Sequence, residues 1–152
     1  MKLAEMKRSE DTEQILFMQW CRSHEDQYPQ LHWIHHIPNG GNRNRKEAAK
    51  FKQMGVKAGI ADICFPYPKG RYVGMYIELK YGDNIPTPQQ RVFMREMELA
   101  GHYCCICYSA AGAVRVLQEY INLSGGAEVN GASFEEEFEY RVHKTWGIPV
   151  IN

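Results

Sequence analysis

Residues 72–108 read as strand, helix, strand, and this unit narrows the possible folds more than any other stretch. Residues 72–80 carry the aromatic and β-branched residues of a strand. Thr87 can cap the helix that follows, Pro88 takes its first position and Gly101 ends it. HYCCICY, residues 102–108, is apolar throughout and fits a strand covered on both faces. Two strands joined through a helix pack as parallel neighbours by a right-handed crossover.

The flanking segments extend that unit. Residues 61–67 form a further strand, and the short PYPKGR connection makes it an antiparallel hairpin with residues 72–80. Residues 9–25 suit a helix, with Ser9 as N-cap, acids in the first turn and Phe17, Trp20 and Cys21 following. LHWIHHI, residues 31–37, reads as a strand that stops at the turn Pro38-Asn39-Gly40-Gly41. Residues 44–54 form a basic helix ending at Gly55, and Ser109 caps a helix reaching about residue 123. The order α, β, α, β, β, α, β, α predicts an α/β domain, a mixed central sheet flanked by helices. After Ser124, NLSGGAEVNGAS reads as a linker and FEEEFEYRVHKTW as a short amphipathic helix. The expected division is a domain over residues 1–123, then a linker and extension over 124–152 that packs on the domain or on a partner.

Composition removes several classes. The chain has 152 residues, 44% hydrophobic and 24% charged, which suits one ordered domain. No window approaches the roughly 18 apolar residues of a membrane helix. MKLAEMKRSEDTEQ lacks the apolar stretch of a signal peptide, so a cytoplasmic protein is expected. The five cysteines are odd in number and three share one apolar run, favouring reduced thiols over a disulfide framework. His32, His35 and His36, like Cys104, Cys105 and Cys107, lack the spacing of a zinc site. Net charge is zero but uneven: Arg43, Arg45, Lys46, Lys50, Lys52 and Lys57 face a single acid, Glu47. That stretch is either a solvated helix face or a phosphate-binding surface.

The candidate chemistry lies in Glu78-Leu79-Lys80. Side chains alternate in a strand, so Glu78 and Lys80 share a face. Alone, the pair is compatible with a strand end emerging into solvent. Asp62 alters this, because a hairpin closed near Pro68-Lys69-Gly70 brings it close to Glu78 or Lys80. Two carboxylates at one end of a sheet repel, and a divalent cation relieves the repulsion; oxygen ligands suit Mg²⁺ or Mn²⁺. The Leu79 carbonyl can add an oxygen, and Lys80 can position a water or stabilise developing phosphate charge. Arg43, Arg45 and Lys57 are candidate phosphate contacts. Asn39, Gly40 and Gly41 either present backbone N–H groups to DNA or simply make a tight turn.

An acid on one strand followed by (D/E)-x-K on the next resembles the PD-(D/E)xK nuclease superfamily and its restriction-endonuclease-like αβββαβ core. The ordered segments SEDTEQ, IPNGGNRN, GVKAGIADICFP, YIELK and TPQQRVFMREMELAGHYCCICYSAAGAVRVLQEYI resemble the VRR-Nuc type. Ala61 stands where the superfamily motif has proline. The resemblance implies a metal-dependent DNA endonuclease with catalytic Asp62, Glu78 and Lys80. It adds Glu10 from the first helix as a metal ligand, with Glu13 one turn on as its substitute. It also implies that Gln90 faces the site near substrate phosphate, although Thr87-x-x-Gln90 is equally a helix capping box. Stand-alone proteins of this type resemble structure-directed nucleases of phages and bacteria that act on branched DNA, including four-way Holliday junctions. Such enzymes often act as homodimers, and Phe134, Phe138, Tyr140 and Trp146 of the tail could then contribute to the contact. If phage-encoded, the protein would work in a bacterial host cell. The alternative is a non-catalytic nucleic-acid-binding or assembly module on the same fold.

Overall fold

The computed structural model describes residues 7–38, 44–134 and 137–152. Its helices are α1 (Glu10–Ser23), α2 (Arg45–Gln53), α3 (Pro88–Leu99) and α4 (Ala110–Ile121). Its strands are β1 (His35–His36), β2 (Ile63–Phe65), β3 (Met75–Leu79), β4 (Tyr103–Cys107), β5 (Tyr140–Val142) and β6 (Pro149–Ile151), forming one sheet in the order β1-β2-β3-β4-β6-β5. The sheet is mixed: β2 and β3 pair antiparallel, whereas β3, β4 and β6 run parallel.

The caps of α1, α3 and α4 are where the sequence places them. The Ser9 and Thr87 hydroxyls accept backbone N–H groups at the heads of α1 and α3, and the third residue of each helix bonds back to the cap. Ser109 and Asn44 cap α4 and α2. β4 is buried along its whole length, which explains its uninterrupted apolar sequence. One face of the sheet packs under α1 and α4 around Phe17, Ile63, Ile77, Leu117 and Tyr120. The other packs under α3 around Met94, Cys104, Ile106, Ile148 and Val150. The cysteines are unbridged, and four of the five are buried. Among the described residues, no helix is long and apolar enough to cross a membrane.

Two expectations fail. Residues 31–37 are not one strand: Pro29–Trp33 is a 3₁₀ helix, and only His35 and His36 pair with β2. Pro29 sets the first turn, and burial of Leu31 rewards a tight helical turn over an extended edge. The tail is not an amphipathic helix: β6 lies parallel beside β4, and β5 folds back on β6. An alternating apolar pattern this short does not by itself separate helix from strand. Here the open edge of β4 decided it. Phe134, Phe138 and Tyr140 are half-buried against the core beneath α4, and Trp146 against the core beneath α3.

Candidate active site

β2 and β3 place the two carboxylates. Ile63 lies opposite Ile77, so Asp62, one residue earlier, comes level with Glu78. The pair is cross-bonded through the backbone: the Leu79 N–H donates to Asp62 Oδ2 at 2.9 Å, and the Asp62 N–H donates to Glu78 Oε2 at 3.2 Å. Glu78 is almost fully buried, at 1% exposure. Burial, then the adjacent Asp62 charge, pushes its pKa up from 4.5 to about 8, while Lys80 pulls the other way.

Lys80 leaves the same face as Glu78. Its Nζ is 3.3 Å from Glu78 Oε1 and 3.9 Å from Glu10 Oε1, and its side chain is 11% exposed. The head of α1 supplies Glu10, which also accepts a hydrogen bond from Asn84 Nδ2 at 3.3 Å. Glu13 is buried and paired with Arg8, so of the two glutamates Glu10 is the one joined to Lys80. Gln14 lines a separate groove with Ile15, Met18 and His35.

Gln90 completes the cap of α3 and also bonds Glu78. Its Oε1 accepts the Thr87 N–H at 2.9 Å, and its Nε2 donates to Glu78 Oε1 at 3.0 Å. The cap thus holds the amide in the orientation that bonds Glu78.

Three residues that the sequence did not assign to this site, His36, Asn84 and Gly59, complete the surroundings. The Asp62 carbonyl accepts the Ile37 N–H at 2.8 Å and the His36 ring at 2.7 Å, so the edge strand β1 anchors the aspartate's backbone. Asn84 bonds Glu10 through its side chain and accepts the Tyr108 hydroxyl through its carbonyl. Gly59 has φ +83°, and a Cβ there would sit 2.7 Å from Gln89 Cβ, so the loop before Asp62 can lie this close to α3 only with glycine. Consecutive histidines and a glycine-bounded loop were the available signals, but neither specifies a partner.

Arg45 and Lys57 are exposed, and α2 buries none of its residues, so its basic side chains stand at the surface. Asn39, Gly41 and Arg43 lie outside the described residues.

The donor set fits a hard cation. Two oxygen-bearing acids lie side by side against one lysine, and Glu78 is raised by burial first and by the Asp62 charge second. Mg²⁺ and Mn²⁺ accept one or two carboxylates and complete their shells with backbone oxygen, water and substrate phosphate. Among the described residues no three His, Cys, Asp or Glu side chains gather as a cage, so Glu10 does not close one around Asp62 and Glu78.

No family model and no curated protein matches the chain. Among solved structures, a protein described as a VRR_NUC domain protein is similar over 82% of this chain and 99% of its own, with 31% identity and a TM-score of 0.67.

Proposed function

Since this chain belongs to the VRR-Nuc family, whose domain has a restriction-endonuclease-like fold, we propose that it is a metal-dependent DNA endonuclease hydrolysing phosphodiester bonds. The observation that carries the reading is the buried Glu78 beside the half-buried Asp62, with Lys80 Nζ 3.3 Å from Glu78. Burying a glutamate beside a second acid costs stability, and a binding-only domain gains nothing from it. That weighs against the non-catalytic alternative.

Asp62 and Glu78 would hold Mg²⁺ or Mn²⁺, joined by the Leu79 carbonyl and, once substrate is bound, by Glu10. The cation would polarise the scissile phosphate and make its bound water more acidic. Gln90 fixes which oxygens Glu78 offers by holding Oε1, and on this reading also lies near the substrate phosphate. Lys80, a strong donor in a half-enclosed site, orients the attacking water and stabilises charge on the phosphate. Arg45 and Lys57 meet the phosphate backbone, together with Asn39, Gly41 and Arg43. Family membership supports branched or junction DNA as substrate and a homodimer as the working form, an inference by analogy.

Duplex, single-stranded, flapped and four-way DNA would be incubated with the protein in Mg²⁺, Mn²⁺ or EDTA. Metal-dependent cleavage, greatest on a branched substrate and lost in Asp62→Asn, is the expected result. Binding without cleavage under every metal condition would favour the non-catalytic module. A monomer at high concentration by light scattering would remove the dimer.

A further inference from the structure

The sheet register runs in one row from the candidate active site to the far edge. Glu78 lies opposite Ile106, Ile106 opposite Val150, and Val150 opposite Arg141. Residues opposite one another share a face of the pleated sheet, so Arg141 leaves it on the same side as Glu78. Three strand spacings separate them, about 14 Å, close to the rise of four phosphates along one DNA strand.

Between these ends lies a groove over the strand ends, lined by Asp83, Ile85, Tyr108, Arg141, His143 and Trp146. Arg141 is exposed and, among the described residues, has no carboxylate within ion-pairing distance, Asp83 included. His143 is held in one tautomer: its Nδ1 accepts the backbone N–H groups of Thr145 and Trp146, each at 3.2 Å. The ring proton is therefore on Nε2, a donor fixed by stacking on Trp146 at 3.6 Å between centroids and 10° between planes. The Arg91 guanidinium lies over the other ring system, 5.8 Å from the Trp146 centroid, adding positive charge. The Tyr108 hydroxyl, in the same groove, donates to the Asn84 carbonyl at 2.9 Å, and Asn84 in turn bonds Glu10.

We infer that Arg141 and His143, carried by the C-terminal strands, form a second phosphate-binding subsite that holds the DNA backbone about four nucleotides from the scissile bond. The inference rests on the nuclease reading above. It gives the β5–β6 hairpin a role: β6 extends the sheet, and β5 delivers a cation to the row that begins at Glu78. A phosphate contact carries no sequence information, so the subsite would strengthen binding equally on all sequences.

The test measures binding of a labelled 30-base-pair duplex against salt, in EDTA, for wild type, Arg141→Gln, Arg141→Lys and Lys69→Gln. Lys69 lies in the β2–β3 turn, at the opposite end of the sheet, and serves as the charge control. Metal-dependent cleavage by wild type is measured in parallel. The expected result is a salt slope reduced by about one in Arg141→Gln, restored in Arg141→Lys and unchanged in Lys69→Gln. At saturating DNA, Arg141→Gln should keep its kcat and raise only KM. If wild type binds and cleaves but Arg141→Gln keeps the wild-type slope and affinity, the subsite is wrong and the nuclease reading stands. If Lys69→Gln loses as much as Arg141→Gln, the effect is one of net charge and the subsite is equally wrong. If wild type neither binds nor cleaves DNA, the nuclease reading fails and the subsite with it.

Discussion

The Gln90 side-chain amide joins a helix cap to the Glu78 carboxylate, accepting from the Thr87 N–H and donating to Glu78 Oε1 at 3.0 Å. Stability and activity should therefore separate at two neighbouring positions. Thr87→Ala removes the cap hydroxyl and should cost about 1 kcal/mol in chemical denaturation while leaving most of the cleavage rate. Gln90→Ala should lose a similar amount of stability and also reduce kcat, because Glu78 is released. Equal kcat for the two variants would show that the Gln90–Glu78 bond serves the fold alone.

Glu78 sets a pH dependence. Its folded pKa, about 8, lies above the ordinary 4.5, so across that window the native state holds more protons than the unfolded state. Stability of the metal-free protein should accordingly fall as pH rises from 4.5 towards 8. Mg²⁺ or Mn²⁺ binds the ionised pair and should restore stability most at the upper end of the window. Glu78→Gln should flatten the dependence and abolish the metal response. Thermal melts across pH in EDTA and in millimolar Mg²⁺ check this; an unchanged slope in Glu78→Gln would place the titration elsewhere.

Lys80→Ala should lower cleavage by about 10²–10³-fold, the usual range for removing a donor aimed at developing charge. Affinity for DNA should change little, since Lys80 is mostly buried and makes at most one phosphate contact. Single-turnover cleavage and equilibrium binding in EDTA together decide it. Wild-type turnover in this variant would remove Lys80 from the chemistry.

Gly59 and Gly55 provide a matched pair. Both have positive φ, +83° and +101°, but a Cβ at Gly55 meets nothing within 4 Å, whereas one at Gly59 meets Gln89 at 2.7 Å. Gly55→Ala should carry only backbone strain, about 1 kcal/mol. Gly59→Ala should cost more and also lower cleavage, since the loop it displaces leads into Asp62. Equal denaturation midpoints would show that the loop yields without effect on the site.

What could be read from sequence were the features that local chemistry specifies. Ser9, Thr87 and Ser109 cap their helices because a short polar side chain can satisfy an end N–H without any distant partner. The β2–β3 hairpin and the buried β4 follow from a short turn and an unbroken apolar run, and the hairpin alone brings Asp62 level with Glu78. Tertiary structure decided the features that depend on a vacant partner. Residues 149–151 are a strand because β4 offered an unpaired parallel edge, and β1 is only two residues long because only His35 and His36 reach β2. Glu10 rather than Glu13 meets Lys80 because of how α1 lies across the sheet, while Arg8 takes Glu13. Arg141 joins the row of Glu78 only through three successive strand pairings. Caps and turns are short-range energies written in neighbouring residues; edge pairing and charge partnership are settled only when distant segments compete for the same unsatisfied groups.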